Sequence, residues 1–551
     1  MYVKVKQHNN YMCILPPEAY ITTMVKAFGG KYSQKWKCIV ADWTSTNCLR
    51  LEKVAKKYGW VLESDPAFRE AVGLLTPARR QMCQDANRQK LAEVQDFALK
   101  SRLWNHQRQA FIELNGLTGA VLDMGMGTGK SLTTISLILA KPHDVGMIVC
   151  PKAVMSVWPL EFQRHCAKEF MIYAGPKRKT YTISQYVKEL KKEMSVAKAL
   201  GKPFIIVCNY EKIWQGELAE FLQTAQLDFM VYDEAHRLKS GSGKTSKFAA
   251  KIRNRASRII ACTGTLLPHS PLDAFGVFRA VDPGVFGTSY IPFRATYAVL
   301  GGFEGKQVVA FQNQEMMHDK ISSISYRVKS EDVLDLPTFQ HIVRHCELSA
   351  KTRKAYDQMH NDLYAEYEGH ELTAANAMVK VLRLQQITSG VITDSCGNEV
   401  RIGSEKADEL ADILEDVALN EPVAVFCRFT ADIAAVKEVA EKQNRKVFEL
   451  SGKKNELAEW QAAKEGVLAV QIRAGREGVD FTAATIQIYY SIGHSLGDYD
   501  QSLKRIHRPG QTRPVCYVHI VAKDTVDVSV YESLDKKRDI VEYVLETLRR
   551  R

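Results

Sequence analysis

From Leu103 onward, short apolar runs alternate with segments whose apolar residues recur every three or four positions. The runs Ala120–Leu122, Met147–Cys150, Phe204–Cys208, Phe229–Tyr232 and Ile259–Cys262 read as buried strands separated by helices. This is the alternation of a parallel sheet, with functional loops at the strand ends. A second set repeats it: Val423–Phe426, Val447–Leu450, Val467–Val470, Ile486–Tyr489 and Val515–Val518. Between the sets, residues 283–393 read as a helical insertion, and the turn-rich stretch 394–404 as an inter-lobe linker. Near the start, Ile21, Met24, Val25 and Phe28 have helical spacing, as do Cys48, Leu51, Val54, Ala55 and Tyr58. Lys35–Val40 alternates like a strand after the Gly29-Gly30 stop. The expected architecture is α/β: a small α+β domain (1–62), a helical connector (63–101) and a first parallel-sheet lobe (102–282). The insertion, the linker and a second lobe (405–551) ending in a C-terminal helix complete it.

Composition narrows the class without setting the function. A chain of 551 residues exceeds a single core, which favours two large domains and a smaller one. The net charge of +12 favours a polyanionic partner, but a solvated surface accounts for it equally well. The 12 cysteines fall singly, several inside apolar runs and without a C-x-x-C pair, so reduced thiols fit better than disulfides or zinc. No stretch reaches membrane-span length, and Met1–Lys6 lacks a secretory apolar core. The expectation is an intracellular protein with no membrane partner.

Two motifs carry the chemistry. Met126-Gly-Thr-Gly-Lys-Ser131 has the glycines, lysine and hydroxyl of a phosphate-binding loop. About a hundred residues on, Asp233-Glu-Ala-His236 follows an apolar run that delivers two carboxylates to a strand's end. Alone, the first is a tight turn and the second a charged corner; the usual first glycine of the long loop pattern is Met124. In this order, each behind an apolar run, they indicate ATP hydrolysis. Lys130 neutralises the β/γ-phosphates, Ser131 and Asp233 position Mg²⁺, and Glu234 activates water. Asp123 has no role in this account.

Further motifs occur in a fixed order. In the first half these are Leu103-Trp-Asn-His-Gln107, Val149–Val154 with Trp158, Cys208-Asn-Tyr-Glu211, Asp233–Lys239 and Thr263-Gly-Thr265. Then come Arg327–Pro337, Ala424–Thr430 with Arg428, Ala474–Asp480 and Gln501–Gln511. From about Leu103 to Asp535 the chain resembles the Swi/Snf-type superfamily-two helicase-like ATPases, which are double-stranded DNA translocases. That resemblance implies RecA-like lobes, with Gln107, Gly127, Thr128, Gly129, Lys130, Ser131, Gly478 and Asp480 at the nucleotide. It implies arginine fingers at Arg505 and Arg508, and coupling through Thr263, Gly264 and Thr265. DNA contacts are implied at Lys152, Trp158, Asn209, Tyr210 and Arg428. Ser131 replaces the commoner threonine and keeps the hydroxyl, while Arg476-Glu477 and Asp480 stand where the family more often has small or uncharged residues.

The N-terminal Phe28-Gly-Gly-Lys-Tyr32, Lys35-Trp36 and Trp43 resemble the HepA-related module beside the motor in annealing helicases. Its aromatics suit unpaired bases at a junction, or else form the core of a small domain. The expected function is ATP-dependent translocation on double-stranded or branched DNA by a monomer, remodelling forks or junctions or displacing bound proteins. Two alternatives stand: a remodeller of a protein–nucleic acid complex, and an ATP-controlled DNA clamp or sensor without processive movement. A bacterial or viral source would place it in the cytoplasm or nucleoid, a eukaryotic one in the nucleus.

Overall fold

A computed structural model describes residues 2–73, 75, 77–176, 181–267, 270–301, 307–369, 374–393, 399–472, 474, 479–493 and 495–535. The chain divides into two compact units, Met1–Leu334 and Asp335–Arg551.

The first unit opens on a five-stranded sheet. β1 (Tyr2–His8), β2 (Tyr11–Leu15), β3 (Lys31–Ser33), β4 (Cys38–Asp42) and β5 (Val61–Ser64) lie in the order β3-β4-β2-β1-β5. Only the β1–β5 pairing is parallel. Strand alternation puts Val3, Val5, Met12 and Ile14 on one face, against Met24, Phe28, Cys48 and Leu51 of helices Ile21–Phe28 and Ser45–Lys57. The strand expected over Lys35–Val40 begins only at Cys38. Residues 34–37 form the β3–β4 turn, where Ser33 Oγ accepts the Trp36 N–H (3.3 Å) and Lys37 takes φ 48°. Trp36 is therefore exposed, while Trp43 is in the core. That core also takes Phe68, Ala71 and Val72 from helix Pro66–Gly73, so part of segment 63–101 packs with the small sheet. Leu91 and Val94, further along, pack into the next core.

The second sheet of this unit is wholly parallel. β6 (Gly119–Met124), β7 (Val145–Cys150), β8 (Met171–Tyr173), β9 (Phe204–Asn209), β10 (Leu227–Asp233) and β11 (Ala256–Thr263) form it together with a strand from much later in the chain. After a hairpin of β12 (Ala298–Gly301) and β13 (Gln307–Phe311), β14 (Ser325–Val328) joins the edge beside β6. The order is β14-β6-β11-β10-β7-β9-β8. Helices cover it, and its inner strands are apolar on both faces.

In the second unit β15 (Phe339–Cys346) pairs with a strand near the chain's end. A two-stranded piece follows, β16 (Val391–Thr393) with β17 (Glu399–Arg401). β18 (Val423–Cys427), β19 (Val447–Leu450), β20 (Val467–Gln471), β21 (Ile486–Tyr489) and β22 (Val515–Ala522) complete a parallel sheet in the order β15-β22-β21-β18-β20-β19. Alternate residues feed two cores, Ala424 and Phe426 into one and Val423, Val425 and Cys427 into the other. Both parallel sheets are RecA-like lobes, and the chain is α/β.

Residues 283–393 are not a purely helical insertion. They hold β12 to β16, and two of these strands extend the neighbouring lobes. The division between units falls at Leu334/Asp335, inside that segment, and not at 394–404. Of the expected linker, residues 394–398 lie outside the described residues, and β17 pairs back onto β16. β14 and β15 carry no apolar run because they lie at sheet edges, where β14 is half-buried with Arg327 exposed and β15 is exposed over half its length. The C-terminal helix is described as Val526–Asp535. Among the described residues no disulfide joins the cysteines, and no helix is long and apolar enough to cross a membrane.

Candidate nucleotide site

Strand order brings the motifs together. β6, β11 and β10 are neighbours, so the phosphate-loop motif, Thr263-Gly-Thr265 and Asp233-Glu-Ala-His236 leave the same carboxyl edge side by side. Thr263 is paired with Asp123, and Asp233 with Cys262. This is where open α/β sheets bind ligands.

After Met124 the chain turns through Gly127 (φ 76°) and Gly129 (φ 78°), left-handed backbone that side-chain-bearing residues rarely adopt. Helix Lys130–Leu139 starts at once, so its first N–H groups face the loop. Thr128 is buried; its hydroxyl donates to the Gly125 carbonyl (2.7 Å). Its own carbonyl accepts from Gln107 Nε2 (3.0 Å) and lies 2.8 Å from His106 Nε2. Gln107 was expected at the nucleotide. It is buried, with Oε1 accepting the Trp104 N–H (2.9 Å) at the start of its own helix, so its amide ties that helix to the loop. Lys130 Nζ donates to the carbonyls of Met124 (3.1 Å) and Gly125 (3.2 Å). Ser131 is half-buried on the first turn of the helix.

Asp233 ends β10 among fixed donors. Trp158 Nε1 donates to Oδ2 (3.1 Å), the Glu234 N–H to Oδ1 (3.0 Å), and the Tyr210 hydroxyl to the Asp233 carbonyl (2.6 Å). Burial, and then the Glu234 carboxylate beside it, push the Asp233 carboxyl up to about 7, against the opposing pull of Lys130 and Trp158. Glu234 is held at φ 52°, a strained conformation for a side-chain-bearing residue, which turns its carboxylate out of the strand direction. His236 Nδ1 lies 3.2 Å from Glu234 Oε2 and 3.3 Å from Thr263 Oγ1. Thr263 Oγ1 in turn accepts the Thr265 N–H (3.1 Å) and donates to the Thr265 carbonyl (3.1 Å). One relay thus joins Glu234 to the Thr263-Gly264-Thr265 motif.

Two residues that DNA was expected to touch, Trp158 and Tyr210, are buried against Asp233 and position it. Asn209 is buried too and donates to Glu211 (2.8 Å). Lys152 is exposed, on the short turn after β7. Trp158→Phe keeps an aromatic side chain but loses the indole's second ring, and it removes one N–H from a charged acceptor, an interaction typically worth about 1.5–3 kcal/mol. Turnover is expected to fall on the order of tenfold with DNA affinity unchanged. A loss of affinity at constant turnover would return Trp158 to the DNA surface.

The motif reading left Asp123 without a role and placed Arg327 only at the head of a motif; the fold pairs them. Arg327 Nε lies 3.4 Å from Asp123 Oδ2, and burial raises the Asp123 carboxyl against that attraction. The Gly125 N–H donates to the Val328 carbonyl (2.9 Å), and Ser330 Oγ donates to the Met126 carbonyl (2.7 Å). The segment leaving the first unit therefore straps the phosphate loop.

In the second unit, the two motifs nearest the C-terminus clasp each other. Arg505 Nη1 (3.5 Å) and Arg508 Nη1 (3.1 Å) both point to the Val479 carbonyl, and the Phe481 N–H donates to the Arg505 carbonyl (3.0 Å). Gln511 Nε2 reaches the carbonyls of Thr482 (3.3 Å) and Ala484 (2.7 Å). Asp480, expected at the nucleotide, uses Oδ1 to cap the Thr482 N–H (2.9 Å) and hydroxyl (2.8 Å). Gly478 and Arg476-Glu477 lie outside the described residues. The Arg428 N–H donates to Ser491 Oγ (2.7 Å), and its guanidinium bonds Gln385.

Residues 86–390 match the SNF2-related domain, and residues 405–510 the helicase conserved C-terminal domain. Protein p41 of Acyrthosiphon pisum secondary endosymbiont phage 1 is 28% identical over 365 residues, covering 63% of this chain and 78% of that protein. An uncharacterized ATP-dependent helicase of Mycoplasma genitalium is 24% identical over 440 residues, and the alignment takes in 78% of this chain but only 40% of that relative. The Sulfolobus solfataricus SWI2/SNF2 ATPase core in complex with dsDNA aligns with 82% of this chain and 94% of that one, at 20% identity and a TM-score of 0.37. With the SNF2-related match spanning over half its length, the chain belongs to the SNF2-related family of superfamily-two helicase-like ATPases.

Proposed function

We propose that this chain is an ATP-dependent translocase on double-stranded DNA that remodels forks or junctions, or displaces proteins bound to DNA. The observation that carries the reading is the shared sheet edge at which the phosphate loop, Thr263-Gly-Thr265 and Asp233-Glu234 leave neighbouring strands side by side. Bound ATP with Mg²⁺ supplies the phosphoryl group to be transferred and the charge that neutralises it. Ser131 and Asp233 offer hard oxygen donors of the kind Mg²⁺ takes, and each Asp233 oxygen accepts one described N–H, from Trp158 or Glu234, so lone pairs remain. Lys130 holds phosphate oxygens, Glu234 orients the attacking water, and His236 relays Glu234's position to Thr263. Lys152 and backbone amides at helix starts hold DNA phosphates, contacts that tolerate any sequence.

ATP turnover measured in parallel on duplex, single-stranded and forked DNA and on RNA tests this reading. Duplex and forked DNA are expected to raise turnover on the order of tenfold or more, with steep loss at higher salt. Triplex displacement on the same duplex reports movement. Stimulation without displacement would favour the clamp, and stimulation by RNA alone would overturn the DNA reading.

A further inference from the structure

A groove with a volume of about 1470 Å³ lies between the small N-terminal sheet and elements of the first lobe near residues 283–323. Typical small-molecule pockets span roughly 300–1,000 Å³, so its size suits a polymer better. Its walls are fixed to each other. Thr46 Oγ1 donates to the buried Asp282 Oδ1 (2.5 Å), and Asn10 Nδ2 to the Asn254 carbonyl (2.9 Å).

The groove concentrates positive charge. Lys31, Lys35, Arg50, Lys53, Lys57 and Lys320 line it, against two carboxylates, Asp42 and Asp319. The whole chain has 75 basic residues to 63 acidic ones, so this ratio is local. Among the described residues, none of the six is in an ion pair. Arg50, Lys53 and Lys57 share one face of helix Ser45–Lys57 by their spacing. Lys320 faces them from helix Gln314–Ser322. Its ammonium is held below the ordinary lysine range, first by the surrounding walls and then by Arg50 and Lys53. Arg50, Lys57 and Lys320 lie over the rings of Phe28, Tyr58 and Phe286, which leaves their charge unpaired with any described carboxylate; like charges so gathered are destabilising, and a polyanion relieves that cost while releasing its counterions.

Aromatic rings select among polyanions. Tyr32 and Trp36 line the same groove and are exposed at 42% and 37%. Trp36 is held edge-on by His8 and Tyr11, at interplanar angles of 71° and 69°. A fixed ring with an accessible face stacks on a base, and bases offer their faces only when unpaired.

We propose that this groove binds single-stranded DNA, its cations following successive phosphates while Trp36 and Tyr32 stack on bases. The choice of DNA rests on the reading in the preceding subsection; the choice of a single strand rests on the rings.

Fluorescence anisotropy of the full chain, without nucleotide, tests it with a labelled oligothymidine of about 16 nucleotides, a matched duplex and a matched RNA. The triple variant R50E/K53E/K320E alters only exposed side chains. It is expected to weaken oligothymidine binding at least about tenfold and to reduce the salt slope by about 2, near 0.7 per phosphate contact. Trp36→Ala is expected to weaken it about fivefold to tenfold with the slope unchanged, and duplex affinity should move less than about twofold in both variants. The control K188E/K191E/K192E makes the same charge change on the exposed side of helix Ile183–Ala199 and should leave oligothymidine binding near the parent value. Parental oligothymidine binding in the triple variant, or an equal loss in the control, would overturn the proposal. Equal loss of duplex binding or tighter binding of RNA would also do so. Absence of duplex-stimulated turnover, with these binding losses intact, would sink the translocase and leave the groove standing.

Discussion

Lys130→Ala is expected to lower ATP turnover by on the order of 10²–10³, the typical cost of removing one preorganised charge-stabilising group, and to weaken nucleotide binding with it. Glu234→Gln is expected to lower turnover by about 10²–10⁴, the range for a positioned general base, while nucleotide binding persists. The two variants separate because the side chains sit differently. Lys130's described hydrogen bonds are to the Met124 and Gly125 carbonyls, whereas the loop's shape is set by Gly127, Gly129 and the Thr128 bonds, so removing the ammonium leaves the loop built. Glu234 is held in left-handed backbone with His236 Nδ1 at 3.2 Å, and glutamine, of the same shape, keeps an acceptor there. Steady-state phosphate release and binding of a fluorescent ATP analogue read both effects. Turnover within about tenfold of the parent in either variant would remove the assigned role.

The sequence made the two parallel sheets legible because their inner strands are buried on both faces and therefore appear as unbroken apolar runs, from Ala120–Leu122 to Val515–Val518. The same logic explains what it hid. β14 and β15 are edge strands whose exposed positions break the run, so Ser325–Val328 and Phe339–Cys346 passed as parts of an insertion. The turn at residues 34–37 was lost for a related reason: Lys35-Trp36-Lys37 alternates polar and apolar as a strand does, and nothing in that alternation shows that Lys37 has positive φ. At the site, residue types with one chemical use, Lys130 and the Asp233-Glu234 pair, could be read directly. Buried tryptophan, tyrosine and glutamine have several uses, and only coordinates distinguish a Trp158 that holds Asp233 from one that faces DNA. Asp123 became intelligible once Arg327, distant in sequence, was found beside it through the β6–β14 pairing.

Arg508→Ala is expected to retain nucleotide binding and to lose about 10³–10⁵ in turnover, the range associated with an arginine that stabilises phosphoryl-transfer charge from outside the phosphate loop. Arg508 suits this test better than Arg505. Arg505 is buried on helix Leu496–Ile506, so truncating its side chain would leave a void there and confound a loss of chemistry with a loss of packing. Arg508 is half-buried, and its described tie is one donation to the Val479 carbonyl, a group Arg505 also approaches. The fold should therefore survive, with a thermal midpoint near that of the parent. Arg508→Lys sharpens the question, because lysine keeps the charge but not the planar fork that meets two phosphate oxygens at once. It should recover only part of the loss. If closing of the two lobes on nucleotide is what brings this arginine to work, DNA affinity in Arg508→Ala will no longer respond to ATP, since coupling between two ligands is reciprocal. Equal loss of nucleotide binding and hydrolysis would make Arg508 a structural clasp on Val479, and turnover at the parental level would remove the second lobe from the chemistry altogether.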